Sequence, residues 1–239
     1  MRDLIVSKRI FPAVLAVGAV LLALLVVVPM LTLHRAGASA APAQASPSPS
    51  ASPMPVPSGA VTLVAGARSV DGVEVGYQRT VVGAISAAAD YLDAVASTLD
   101  PDYAASVMRV AGDPANAQLT ADLAHSTVAL RGDLDLPTAG ALAPPVSFQT
   151  IAEMYQVRDA TADNILVLLL TDSTFVNARG GMAQTTGVFP VQMRWAAGDW
   201  KLAAVGGGAD YSGLAATPDT SAAAGQGWLA LVAAGGGAS

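Results

Sequence analysis

The feature that most constrains this chain is a change of period part-way along it. Between residues 81 and 131 the apolar residues recur at helical spacing, whereas beyond residue 145 they alternate every second position. Val81, Ile85, Ala88, Leu92, Val95 and Leu99 form one stripe, with Thr80 as the expected N-cap. Gly83 inside that stripe points to a close backbone approach. Asp100-Pro101 stops the first helix and starts a second over residues 101–111, because aspartate caps well and proline suits the first turn. A third helix is expected over residues 116–131, anchored by Leu119, Leu123 and Leu130. After the turn-rich loop "GDLDLPTAGALAPP", Ile151, Glu153, Tyr155 and Val157 alternate with Ala152, Met154, Gln156 and Arg158. "NILVLLLTD" reads as a central strand covered on both faces. A return strand over residues 182–195 and a hairpin strand over 200–205 complete about four antiparallel strands. Pro190 belongs at a bulge or strand edge, since it has no N–H to donate. Helices first and strands second imply an α+β domain, with three helices packed on one face of a curved antiparallel sheet.

The segments on either side of this domain differ from it in composition. Residues 10–33 carry no charge, enough to cross a bilayer core, which takes about 20 residues as a helix. Arg2, Lys8 and Arg9 precede the run and Arg35 alone follows it closely. The positive-inside bias then puts residues 1–9 in the cytoplasm and the main domain outside, on a single-pass anchor in the cell membrane. A cleavable signal peptide ending at Ala38-Ser39-Ala40 is the rival reading, although such cores run only about 7–15 residues. Residues 34–60 are rich in Pro, Ser and Ala and read as a semi-rigid linker. Residues 61–207 form the expected domain, opened by a strand or packing arm at 61–65, and 208–239 a Gly/Ala-rich tail. Within that tail Trp228, Leu229 and Leu231 form an apolar cluster that either docks on the domain or contacts a partner.

Charge and cysteine content narrow the chemistry. There is no cysteine, which removes disulfides, thiolate metal sites and thiol nucleophiles. From Val61 onward 17 acidic residues face 8 basic ones, a balance of −9, so nucleic acid is not an expected partner. His125 is the one histidine of the domain and has no supporting metal or triad motif, so neither a metal nor a cofactor is expected. Candidate ligand-binding groups are Asp90 and Tyr91 on the first helix and Glu153 and Tyr155 on one strand face. Asp90 also reads as a solvated helix position, and no catalytic residue is assigned.

"MRWAAGDWKLAAV", residues 193–205, puts two tryptophans on either side of a tight turn, where they staple the sheet or wall a ligand site. That hairpin, following the helical "GYQRTVVGAISAAADYL", resembles the nuclear transport factor 2-like superfamily, a cystatin-like α+β cone. Anchor, linker and cone together resemble membrane-anchored proteins of actinobacterial conjugative elements, related in layout to bitopic scaffolds of type IV secretion. The resemblance implies a non-catalytic extracytoplasmic scaffold with protein partners or self-association. The cone's usual cavity implies the alternative, a small-molecule-binding or isomerase/hydrolase-like domain using Glu153, Tyr155 or Asp90.

Overall fold

The computed structural model describes residues 53–206 and 209–233. The expected anchor at 10–33, the cytoplasmic stretch 1–9 and linker residues 34–52 lie outside them. Among the described residues no helix is long and apolar enough to cross a membrane.

The chain is a mixed α+β domain. Strand β1 (Val61–Thr62) is followed by a ribbon of β2 (Arg68–Val70) and β3 (Val73–Val75), then helices α1 (Val81–Ala96), α2 (Pro101–Ala111) and α3 (Leu119–Asp133). Four strands come next: β4 (Ser147–Ala160), β5 (Asn164–Val176), β6 (Met182–Ala196) and β7 (Asp199–Val205). A short helix α4 (Ser221–Gly225) and strand β8 (Leu229–Val232) close the described chain. The main sheet has the order β1-β8-β4-β5-β6-β7, and its pairs are antiparallel except β1 with β8. The expectation of about four antiparallel strands is therefore corrected to six in the main sheet, one pair parallel, plus the separate β2–β3 ribbon.

Local signals produce the helices. The Thr80 hydroxyl accepts from the Gly83 N–H at 3.0 Å and satisfies one orphan donor of the first turn. Gly83 is required there, because a Cβ would lie 2.2 Å from the Gln78 carbonyl oxygen. Asp100 caps α2 through the amides of Asp102 and Tyr103. The helices cover one face of the sheet over a core that includes Ile85, Leu92, Val107, Tyr155, Val167, Leu169, Met193 and Trp200. On the opposite face Met154, Leu168, Leu170 and Val188 pack with Ala223 and Trp228 from the C-terminal segment. This explains why β5 is apolar on both faces.

The domain boundaries also change. Linker residues from Pro53 onward join the fold: the Met54 N–H donates to the Ala160 carbonyl at 3.0 Å, and the Tyr155 hydroxyl to the Gly59 carbonyl at 2.7 Å. The tail is likewise part of the sheet, since β8 pairs with both β1 and β4. Trp228 is buried, and its indole N–H donates to the Leu214 carbonyl at 2.9 Å, while Leu229 and Leu231 pack against the helix-side core. Short, low-complexity strands give no period to read, and their pairing is non-local, so composition alone assigned them to linker and tail.

At the hairpin, Trp195 and Trp200 pair directly, with ring centroids 5.4 Å apart and planes at 74°. Trp200 is fully buried and donates from its indole to the Gln78 carbonyl at 2.9 Å. The Arg79 guanidinium sits over the Trp195 ring at 5.6 Å. The pair staples the sheet to the lead-in of α1.

Candidate functional site

One row of polar groups comes from α1 and its C-cap. Ser86, Asp90, Asp93 and Ser97 recur at three- and four-residue spacing, so they share one side of that helix. Each has a protein partner. The Ser86 hydroxyl accepts from the Val64 N–H at 2.9 Å. The Asp93 carboxylate accepts from the Ala152 N–H at 3.0 Å, and the Ser97 hydroxyl accepts from the Thr150 N–H at 2.8 Å. Strand β8 reaches only Met154 and Tyr155 of β4, and Asp93 and Ser97 take β4 amides that β8 leaves unpaired.

Asp90 lines a cleft of about 370 Å³ beside β3, together with Leu63, Val64, Ala65, Glu74 and Ala233. The Tyr77 hydroxyl donates to Asp90. Burial raises the Asp90 pKa; the Tyr77 hydrogen bond opposes that shift and the Glu74 charge adds to it. The Tyr77 hydroxyl is itself held protonated, chiefly by burial and then by Asp90. Across the cleft Glu74 accepts from the Gly66 N–H at 2.6 Å. One turn along α1, burial pushes Asp93 up to about 7 against the Ala152 hydrogen bond, with the Asp90 and Glu153 charges adding to the rise.

A second polar group lies deeper. Asp199 at the start of β7 is buried, and one of its oxygens accepts from the Tyr77 and Trp200 amides, each at 2.9 Å. The other accepts from the Tyr91 hydroxyl at 3.4 Å and the Lys201 ammonium at 3.1 Å. Lys201 also donates to the Val110 carbonyl at 2.8 Å. The Tyr77 and Tyr91 rings meet edge to face, with centroids 5.8 Å apart. Asp199 and Lys201 thus bind β7 to α1, to α2 and to the segment after β3. A buried ion pair of this kind is tolerated because hydrogen bonds fill the remaining valences.

The sequence candidates separate in space. Asp90 reaches the cleft and is half-buried rather than on a fully solvated face. Tyr91 is buried in the core, with its hydroxyl on Asp199. Glu153 and Tyr155 do not share a strand face. A bulge between Ala152 and Met154 inserts one residue and reverses the alternation. Tyr155 therefore enters the helix-side core, whereas Glu153 lies near Asp172 and Asp219. Burial and those two charges raise the Glu153 pKa. His125 is exposed on α3. Sequence reasoning missed Glu74, Tyr77, Asp93, Asp199 and Lys201. A signal for Asp93 was present in the four-member polar stripe of α1, whose apolar residues drew attention instead.

A second, apolar cavity of about 70 Å³ lies between α1, α3 and the sheet, walled by Leu92, Val95, Leu123, Leu130 and Phe189. No carboxylate lines it. Among the described residues no three His, Cys, Asp or Glu side chains cluster as metal ligands would.

Residues 66–225 match the family described as a domain of unknown function (DUF8175), and this span is more than half of the chain, so the chain belongs to that family. No curated protein matches the chain. No solved structure matches it either.

Proposed function

We propose that this DUF8175 protein is a non-catalytic, membrane-tethered interaction domain held outside the cell membrane, with the cone architecture of nuclear transport factor 2-like proteins. Its place is in an envelope assembly of the conjugal-transfer or secretion kind. The observation that carries the reading is the use of the interior polar groups as struts. Asp93, Tyr91, Tyr155, Asp199 and Lys201 are each engaged with a backbone or side-chain partner that joins two elements. A general base must instead present its lone pair to a substrate. The docked arm fits the same reading, because Pro53–Met54 and Val61–Thr62 pair with the sheet and so fix the domain to its tether.

The test is photo-crosslinking of the full-length protein in its native membrane, combined with deletion of its gene and a DNA-transfer assay. Cross-links to membrane-assembly proteins and a loss of transfer are expected. Intact transfer together with no cross-linked protein would refute the role. One observation favours a second reading, a small-molecule binder: the cleft at Asp90 is roomy and carries two carboxylates. A cationic or amine ligand that raises the melting temperature of the wild type, and not of Asp90→Asn, would support it.

A further inference from the structure

Three of the sheet's open borders are covered. The outer edge of β7 is covered by the α2–α3 connection: the Asp113 N–H donates to the Leu202 carbonyl at 2.8 Å and the Asn116 side chain to the Ala203 carbonyl at 3.0 Å. On β4 the Ala152 and Thr150 amides are taken up by Asp93 of α1 and by Ser97 at its C-cap. Just beyond β1, Ser86 holds the Val64 amide. Strand β6 differs. Its partner β7 pairs only from Val191 to Ala196, and the Gly206 N–H closes on the Pro190 carbonyl at 2.8 Å. Among the described residues, β6 is paired from Met182 to Phe189 with β5 alone.

This free edge also lacks the devices that normally keep such edges apart. Residues 180–193 carry no charge, and proline appears only at 190, where β7 takes over. Met182 is 67% exposed at its end. From Val61 onward the chain has an excess of nine acidic side chains, whereas this stretch is neutral.

We propose that two copies of the chain pair antiparallel through residues 182–188 of β6, around a two-fold axis at Thr185, and so join their sheets into one. The inference rests on the interaction-domain reading and names its surface and its partner. Antiparallel pairing about Thr185 puts Met182 opposite Val188 of the second copy. Both are even-numbered positions on the face covered by the C-terminal segment, and Val188 is already buried in the cluster with Trp228, so the exposed Met182 side chain is brought to the border of that cluster. Exposed Arg179, at the hairpin tip and in no ion pair among the described residues, is carried towards a domain whose balance from Val61 onward is −9. The neutral strand lets the two acidic domains approach where they repel least.

Because the chain has no cysteine, a single introduced one reports directly. Directly opposed residues of antiparallel strands lie about 4.5–5.5 Å apart at Cα, within the roughly 4.4–6.8 Å range of a disulfide. Full-length Thr185→Cys, oxidised mildly in detergent or in membranes, is expected to form a covalent dimer at least tenfold faster than the control Ala162→Cys, a position half-buried like Thr185. Thr186→Cys covers a register one residue along. Thr185→Lys should shift the full-length protein from dimer to monomer in sedimentation, with its far-UV spectrum and melting temperature kept. Cross-linking no faster at 185 or 186 than at 162, or a monomeric wild type, would overturn the proposal. If the photo-crosslinks to envelope proteins survive either result, the pairing fails while the interaction-domain reading stands. If those cross-links require a neutral β6 edge in a monomeric wild type, the edge serves a different protein and the self-pairing is refuted.

Discussion

Asp93→Asn tests the strut account most directly. The carboxyl lies beside β4 with the Ala152 N–H as its hydrogen-bond donor, and burial holds its pKa near 7 in the folded protein against an ordinary value of 3.8. An acid whose folded pKa is raised binds its proton more tightly folded than unfolded. Between about pH 4 and 7 the folded state therefore holds a proton that the unfolded chain has lost, and stability falls as pH rises through that window. The shift of about 3 units, at roughly 1.4 kcal/mol each, sets a ceiling near 4 kcal/mol for the penalty above pH 7. Partial solvent contact reduces this to the order of 2 kcal/mol. Asparagine keeps an oxygen for the Ala152 amide and removes the charge. Urea unfolding followed by tryptophan fluorescence should show Asp93→Asn to be more stable than the wild type by about 2 kcal/mol at pH 8 and equal to it at pH 4. The wild type should lose stability between those limits, and the variant should lose less. A variant less stable than the wild type at pH 8 would refute the reasoning, because it would mean that the charged form is what the Ala152 amide requires.

Ala197 occupies a turn position with φ of 53°, next to Gly198 at 79°, a two-residue hairpin turn that suits Asn-Gly. Ala197→Asn should raise stability by about 0.5–1 kcal/mol in thermal unfolding. Arg131 is buried and donates to the carbonyls of Leu99, Pro137 and Gly140, so Arg131→Met should cost about 2–4 kcal/mol and expose the loop after α3 to protease. Trp228→Ala should cost about 3–5 kcal/mol and speed amide exchange in β8. Unchanged stability with loss of a binding partner would instead make Trp228 a partner contact.

The places where sequence and structure part company share a cause. Periodicity reports what one element does with its own neighbours. It identified α1, the α2 start at Asp100-Pro101 and the doubly covered β5, because a stripe, a cap and an apolar run are local facts. It placed Glu153 wrongly relative to Tyr155, because a one-residue bulge leaves no mark on composition yet reverses the faces from Met154 until a second irregularity after Val157. It read Asp90 as solvated, because the acceptor role opposite Tyr77 depends on a residue from a different segment.

From the residues alone came the α+β order, the helix caps, the tryptophan hairpin and a cysteine-free acidic domain, each set by side-chain size, charge or backbone preference within a few residues. Tertiary structure alone decided that the stretch after Pro53 and the strand at Leu229–Val232 belong to the sheet. It also decided which carboxylates become struts, and which edge of the sheet is left open. Those outcomes depend on which backbone amides remain unpaired after distant segments meet, and that accounting can be done only in the folded chain.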